Sequence, residues 1–383
     1  MHLCPMRSPS DTSAVEELFA SRGVRPDSVV ALVGKTEGSG LHDDFSRELA
    51  HLRLSEVLAH HLGLRPAEID DRVTFILSGG CYGVIAPHVT VIAVEWVETE
   101  PAALPGESRL ILGRAHSEAI LPEEVGRMGQ VRKVATAVRE AMHESGITDP
   151  SDVHSVMVKA PSLSWAAIHD AESRGATVVT HDLSAGESGA ICYSNDASAL
   201  GVALALGEVP EDALRDDVIR RDWSLYSAVA ATSSGGEKRR AEVLLLGNRQ
   251  GSASDLRIGH AVIRDPIDAE GVKDALRSAG LEFSCCPSAE DRSRIVQVFA
   301  KLIVPGSDQL RGRRITLLDD HEAHRSAKAV GGTLVASVTG DPAMFLSGGE
   351  KNSHQGPPGG SPIAAVVRVA GPADWSRAGL SIN

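Results

Sequence analysis

The sequence has few of the features that mark nucleic-acid-binding, secreted or membrane proteins. Positive charge is scarce: 38 Lys and Arg oppose 51 Asp and Glu, and the formal net charge of −13 gives no basic surface for a phosphate backbone. The five cysteines are odd in number and form no Cys-x-x-Cys pair, so neither a disulfide framework nor a zinc site is indicated. Without an apolar signal segment or a run of about 20 apolar residues, a soluble, cytoplasmic protein is expected.

Aromatic residues are also scarce, at 3% of the chain, yet the remaining composition is that of an ordinary globular protein. Hydrophobic residues make up 42% and charged residues 23%, which argues against a largely disordered chain. Because 383 residues exceed what one core usually organises, two or three domains or a fold built from repeats are expected. Segments rich in Pro, Gly and Ser at 98–110 and 246–259 divide the chain into units 1–104, 105–251 and 252–383.

One motif occurs three times, once in each unit. Serine followed by glycine closes an apolar stretch in "FILSGG" (75–80), "ATSSGG" (231–236) and "MFLSGG" (344–349). Upstream of each copy, an apolar strand-like segment ends in a lysine, and a helical segment lies between that lysine and the serine. The three lysines are Lys35, Lys159 and Lys301. The repeated order of strand, helix and strand predicts αβ units in a pseudo-threefold assembly.

Apolar periodicity and terminal glycines predict where the helices lie. The predicted helices cover residues 13–23, 43–63, 122–146, 193–208 and 321–330. The segment 122–146, with Pro at a plausible first helical position and a terminal Gly, is interpreted as an extra helix in front of the second unit.

The repeated Ser-Gly pattern has a structural and a catalytic interpretation. In a single copy, glycine supplying a positive φ and serine capping a helix would be the better explanation. Three copies with three matched lysines favour chemistry instead, because a lysine of lowered pKa can deprotonate a serine nucleophile. Glycines after the serine leave backbone N–H groups free to stabilise an oxyanion.

Many dispersed segments resemble the ring-opening amidohydrolases, the family that includes cyanuric acid hydrolase and barbiturase. The resemblance covers nearly the whole chain. The segments that carry it include "VGKTEGSGLHDDFSR" (33–47), "SGGCYGVIAPH" (78–88), "YSNDASALGVALALGE" (193–208), "HRSAKAVGG" (324–332) and "SGGEKNSHQGPPGG" (347–360).

The resemblance implies an α/β fold of three similar units around a pseudo-threefold axis, with the active site at the axis and a flat cyclic ureide or imide bound there. It implies that Ser233 is the nucleophile and Lys159 its base. The other residues implied to bind the substrate are Lys35, Arg47, Ser78, Gly79, Gly80, Asn195, Ser234, Gly235, Lys301, Arg325, Ser347 and Gly348. The family also suggests a homotetramer, and no organic cofactor.

The sequence departs from the family pattern at several positions. Asn195 stands where the family has the second of three arginines, and Cys81 and Tyr82 replace a Thr-Glu pair, so a strongly acidic ring should be recognised less well. Because "KLIVPG" (301–306) lacks the glutamate that ligates a structural divalent ion in some relatives, no metal is expected. Two alternatives stay open: a different cyclic lactam or imide of secondary metabolism as substrate, or a non-catalytic relative that binds a small cyclic ligand.

Overall fold

The polypeptide forms three four-stranded sheets, each with helices on one face. The computed structural model describes residues 1–40, 44–96, 107–184, 186–319, 323–349 and 351–369. The first group of elements is β1 His2–Pro5, α1 Ser13–Ala20, β2 Val29–Thr36, α2 Ser46–Leu62, β3 Thr74–Gly79 and β4 His88–Ala93. The second is β5 Ser108–Ala119, α3 Met128–Ser145, β6 Val153–Pro161, α4 Trp165–Ser173, α5 Ala190–Leu206, β7 Ala230–Gly235 and β8 Arg240–Gln250. The third is β9 Leu256–Ile263, α6 Ala269–Ser278, α7 Ala289–Ser293, β10 Ile295–Ile303, β11 Gln309–Leu310, β12 Arg313–Arg314, α8 Ala323–Thr339, β13 Phe345–Gly349 and β14 Ser361–Arg368.

The three large sheets have the same strand order. They run β1-β4-β2-β3, β5-β8-β6-β7 and β9-β14-β10-β13, so each consists of a first strand, a last strand, a lysine strand and a serine strand. The lysine and serine strands pair in parallel, and parallel neighbours need a crossover, which α2, α5 and α8 supply. This repetition confirms the predicted α/β fold of three similar units. The boundary predicted at 104/105 lies outside the described residues, and the one at 251/252, between β8 and β9, stays a prediction.

The helix predicted at 122–146 is not an addition to the second unit. The α-helix α3 begins at Met128, after a short 3₁₀ turn at Pro122–Glu124, and it connects the first strand of its sheet to the lysine strand. The shorter helices α1 and α6 occupy the same place in the other units. The extra helix of the second unit is α4, which follows the lysine strand. The sequence prediction was wrong because α6 went unrecognised, which left α3 without a counterpart in the third unit.

Other predicted helices are found with shifted ends. The helix α2 ends at Gly63, whose φ of 66° is the left-handed conformation expected of a helix-terminating glycine. Helix α5 begins three residues earlier than predicted, and α8 continues nine residues further, to Thr339. The predicted start of α8 at 321–322 and residue 43 of the predicted second helix lie outside the described part of the chain. None of the described helices is long and apolar enough to cross a bilayer.

Five apolar clusters hold the described part of the fold together, and one of them packs α3 against α5 and the segment that follows α5. Three others pack the helices of one unit against the outer face of its own sheet. The fifth lies between the sheets and contains residues of all three units. Its members include Ala31, Val33, Ile76, Met157, Leu244, Leu246, Phe299, Phe345 and Val366. We call this fifth cluster the central core.

The two-residue period of a strand places the lysines at one end of the central core. On β2, Ala31 and Val33 face the central core, so Lys35 follows them on the same face. Met157 precedes Lys159 in the same way, and Phe299 precedes Lys301. The inward faces of three separate sheets therefore bring their lysines together.

Truncating a side chain of the central core should destabilise the whole chain, because this core joins the three sheets. Phe299 is 2% exposed, and its ring centroid lies 6.2 Å from that of Phe345. We expect Phe299→Ala to lower the free energy of unfolding by about 3–5 kcal/mol, measured by denaturant unfolding. Trp165→Ala, at a 65% exposed side chain, is the control and should change it far less. Similar small losses in both variants would contradict a shared core.

Candidate active site

Strand register places each lysine opposite the serine of its own unit. Lys35 pairs with Ser78 across β2 and β3, Lys159 with Ser233 across β6 and β7, and Lys301 with Ser347 across β10 and β13. Opposite residues of neighbouring parallel strands have their side chains on the same face of the sheet. The order of the motifs in the sequence predicted which lysine belongs with which serine. It did not predict that the two lie opposite each other on paired strands.

Two of the lysines donate hydrogen bonds to their serines. Lys35 Nζ lies 3.3 Å from Ser78 Oγ and also donates to the carbonyl oxygen of Gly79 at 2.8 Å. Lys301 Nζ lies 3.1 Å from Ser347 Oγ. Its second acceptor, at 2.7 Å, is the carbonyl oxygen of Thr232, the residue that precedes Ser233 in the second unit. The amine of the third unit thus contacts the serine strand of the second.

Lys159 has different partners. Its Nζ donates to the carbonyl oxygen of Ser234 at 3.2 Å and lies 3.4 Å from a carboxylate oxygen of Glu237. Within the described residues, no hydrogen bond joins Lys159 to Ser233. Glu237, which follows the second Ser-Gly-Gly motif directly, was not predicted as a site residue. The available signal was an acidic side chain directly after Ser-Gly-Gly, three residues after Ser234, whose carbonyl oxygen accepts from Lys159.

Burial lowers the pKa of all three amines. Lys35, Lys159 and Lys301 are at most 3% exposed. Burial is the largest cause of the lowered pKa of Lys301, about 7, and neighbouring Lys328 lowers it further. Burial also lowers the pKa of Lys159 to about 8, while Glu237 opposes the shift and Arg47 adds to it. The pKa of Lys35 is well below its ordinary value, again through burial and then through Lys328.

Lys328 is a fourth buried lysine that the sequence analysis missed. It lies on α8, is 4% exposed, and follows Arg325 by three residues, so both share one side of the helix. Its Nζ is 5.2 Å from the ring centroid of Tyr82. Its aliphatic stem passes so close to Gly348 that a Cβ there would meet Lys328 Cε at 2.3 Å. The i, i+3 spacing to Arg325 was the available signal.

The crossover helix of each unit faces the lysine or the serine loop of another unit. Arg47 on α2 lowers the pKa of Lys159 in the second unit. Asp196 on α5 acts on Lys301 of the third unit, where it opposes the lowering of the lysine pKa by burial and by Lys328. On α8, the Arg325 guanidinium lies 5.3 Å from the ring of Tyr82 in the first unit. The three crossover helices therefore connect the units in a cycle, the first to the second, the second to the third and the third to the first.

This arrangement can be compared with known proteins. The family model described as "amidohydrolase ring-opening protein" matches residues 1–368. The chain belongs to this family. A cyclic amide hydrolase of Pseudofrankia inefficax is 60% identical over 96% of this chain and 94% of its own length. A barbiturase of a Nocardioides species is 41% identical over 95% and 96%. A solved structure of a cyanuric acid hydrolase, described as arising by structural concatenation, has a TM-score of 0.88 at 42% identity and covers 96% of this chain and 98% of its own.

The glycines of this amidohydrolase lie where neighbouring side chains press against the serine strands. A Cβ on Gly79 would meet Asp44 Oδ2 at 1.8 Å, and one on Gly235 would meet Glu237 Oε2 at 2.0 Å. Gly80 has a φ of 83°, which favours glycine. Close approach and turn geometry therefore explain these glycines in the structure, and an oxyanion role for their N–H groups stays a prediction.

The three positions that differ from the family pattern, 81, 82 and 195, have polar side chains. Cys81 Sγ donates to the carbonyl oxygen of Thr36 at 3.3 Å, and Tyr82 Oη donates to that of Ser39 at 2.6 Å. Asn195 is 7% exposed, and its side-chain Oδ1 has no hydrogen-bond partner in the described part of the chain.

Two further expectations concern Ser234 and a metal. Ser234 Oγ donates to the carbonyl oxygen of Ile191 at 3.3 Å, so its hydroxyl contacts the crossover helix α5. Among the described residues, no group of three His, Cys, Asp or Glu side chains could ligate a metal ion. In the segment 301–306, which lacks the glutamate of some relatives, the backbone N–H of Ile303 donates to Ser361 Oγ at 2.9 Å. That the protein needs no metal stays a prediction.

The lowered pKa of Lys301 predicts how stability depends on pH. Between pH about 7 and 10.5 the unfolded chain binds a proton at this lysine and the folded chain does not. The free energy of unfolding therefore rises with pH across this window. We expect Lys301→Met to reduce the slope, measured by thermal unfolding at several pH values from 7 to about 9.5. Lys133→Met, on α3 outside the site, is the control. An unchanged slope in Lys301→Met would show that Lys301 is charged in the folded protein.

Proposed function

We propose that this protein opens the ring of a cyclic amide, imide or ureide by hydrolysis, with Ser233 as nucleophile and Lys159 as its base. The observation that supports this most is the threefold register pairing of a serine with a buried lysine of lowered pKa. The names of the relatives, cyclic amide hydrolase, barbiturase and cyanuric acid hydrolase, support the reaction class.

In the proposed reaction, neutral Lys159 accepts the hydroxyl proton of Ser233 while Ser233 Oγ attacks a ring carbonyl carbon. The ring C–N bond breaks, and the lysine ammonium returns the proton to the leaving nitrogen. The resulting acyl ester on Ser233 is then hydrolysed by water, which restores the serine and releases the opened chain. One water is consumed for each ring.

The second unit differs from the others in ways that suit a nucleophile. Ser78 and Ser347 are buried and accept hydrogen bonds from their lysines, which suits binding of ring carbonyls. Ser233 is half-buried, and its oxygen is not occupied by a lysine. Glu237 raises the pKa of Lys159 relative to what burial alone would give, which keeps it near the operating pH of a general base.

A binding protein without activity is the second candidate. The contact of Lys159 with Glu237, rather than with Ser233, favours it, because a charged lysine cannot act as a base. A screen of cyclic ureides, imides and lactams separates the two functions. Binding with no hydrolysis of any ring would support the non-catalytic candidate.

We also propose the unit boundaries 1–104, 105–251 and 252–383, a homotetramer and a cytoplasmic location. The boundary between the second and third units is supported by the separate sheets on either side of it. The tetramer and the location rest on the family resemblance and on composition alone.

Replacing each serine in turn should identify the nucleophile. We expect Ser233→Ala to lower kcat by about 10⁴-fold or more, because the covalent intermediate can no longer form. Ser78→Ala and Ser347→Ala are matched controls and should lose only about 10- to 100-fold in kcat/KM, through a missing hydrogen bond. Mass spectrometry of quenched reactions should show the acyl adduct on Ser233. Turnover near wild type in Ser233→Ala would disprove the assignment.

Replacing the carboxylate beside Lys159 should move the pH dependence of the reaction. A base must be deprotonated, so kcat/KM is expected to rise with pH through the Lys159 pKa of about 8. Because Glu237 raises that pKa, Glu237→Gln should shift the rising limb to lower pH. Glu124→Gln, which lies outside the site, is the control for the pH–rate measurement. A limb that stays in place would mean that Lys159 is not the base.

A further inference from the structure

Asn195 carries an open hydrogen-bonding group on the turn of α5 that contacts Thr232. Within the described residues its side-chain Oδ1 is buried without a hydrogen-bond partner, which is rare for a polar atom in a folded protein. The neighbouring Asp196 is fully engaged, since its carboxylate binds the Arg220 guanidinium and the Ser353 hydroxyl and accepts the N–H of His354 at 3.1 Å. Asn195 is therefore the group on this turn of α5 that a ligand can satisfy.

Its position relates Asn195 to both chemical centres of the site. Thr232 Oγ1 donates to the backbone carbonyl of Asn195, and the Thr232 carbonyl accepts from Lys301 Nζ, each at 2.7 Å. The residue after Thr232 is Ser233, the proposed nucleophile. Besides burial and Lys328, Cys192 and Asp196 on α5 act on the pKa of Lys301. Cys192 lies three residues before Asn195, so this side of α5 faces the lysine of the third unit.

The chemistry of a carboxamide differs from that of the guanidinium groups of Arg47 and Arg325, which lie in the first turns of the other two crossover helices. Arg47 and Arg325 can only donate hydrogen bonds, so they suit carbonyl oxygens or a ring anion. A carboxamide both donates and accepts, whichever way its amide is turned. It can therefore form two hydrogen bonds with a lactam edge, in which a ring N–H stands beside a C=O.

We propose that Asn195 selects rings that present a protonated lactam edge at this position. The substrate class is then the neutral cyclic imides and ureides, such as hydantoin, dihydrouracil or glutarimide. Trioxo rings such as cyanuric and barbituric acid readily lose a proton, and the negative charge of the resulting ring is offset by an arginine but not by a neutral carboxamide, so they fit an arginine better. This inference rests on the proposed function only in taking the site to bind a cyclic amide.

Binding to the Ser233→Ala protein tests the inference without requiring turnover. Calorimetry compares hydantoin, dihydrouracil and glutarimide with cyanuric acid, and each neutral ring with its N-methyl derivatives. We expect at least one neutral ring to bind more tightly than cyanuric acid, and methylation of the recognised nitrogen to weaken binding by about tenfold or more.

Variants at position 195 separate hydrogen bonding from bulk. Asn195→Leu, added to Ser233→Ala, should weaken the parent ring by about tenfold and leave its N-methyl derivative almost unchanged, so that the two changes are not additive. Asn195→Arg should shift the preference towards cyanuric acid. Asn195→Asp, of nearly the same shape, serves if the leucine variant does not fold, and it should weaken binding less than leucine does. Thermal unfolding checks that each variant is folded.

The outcomes distinguish this inference from the proposed function. Tightest binding of cyanuric acid, equal binding of parent and N-methyl rings, or no effect of Asn195→Leu on any ring would overturn the inference. Wild-type hydrolysis of rings with the same preference in every variant at position 195 would also overturn it and leave the proposed function intact. Ring binding that depends on Asn195, with no hydrolysis by the wild type, would overturn the proposed function alone. Absence of any binding would overturn both.

Discussion

The structure depends on one constraint, the burial of amines at the end of a core that three sheets share. Each lysine continues an inward row of apolar residues along its strand, as Lys35 continues Ala31 and Val33. Strand geometry fixes this face, and parallel pairing then fixes the serine beside it. Removing an ammonium group from water is unfavourable, and that same cost lowers the lysine pKa towards neutrality. The destabilising feature of the fold is therefore also the source of its chemistry.

A symmetric backbone holds an asymmetric set of side chains. All three units provide a lysine opposite a serine, and among the described residues it is Lys159 that forms an ion pair, with Glu237. Lys328 lowers the pKa of the lysines of the first and third units. The three positions are thus chemically distinct, which allows one serine to act as nucleophile while the other two bind the ring.

Local order was predictable from the sequence, and contacts between units were not. Apolar periodicity and helix-terminating glycines such as Gly63 gave the succession of strand, helix and strand, because these signals act within a few residues. The hydrogen bond from Lys301 to the carbonyl oxygen of Thr232, by contrast, depends on how two sheets pack together, and no local sequence pattern predicts that. Glu237 and Lys328 were missed for the same reason, since each became a site residue only through its neighbours. The error over α3 arose because α6 went unrecognised, which hid the fact that each unit has a helix before its lysine strand.

The cyclic arrangement of crossover helices has a consequence for how the site could arise and how it can fail. Arg47 on α2 acts on the lysine of the second unit, Asp196 on α5 acts on that of the third, and α8 contacts the first unit. The surroundings of each lysine therefore include a helix of another unit, so one unit in isolation would lack part of the candidate site. A small shift of one unit against the next would change the surroundings of a lysine. Activity would therefore be lost before the fold is lost.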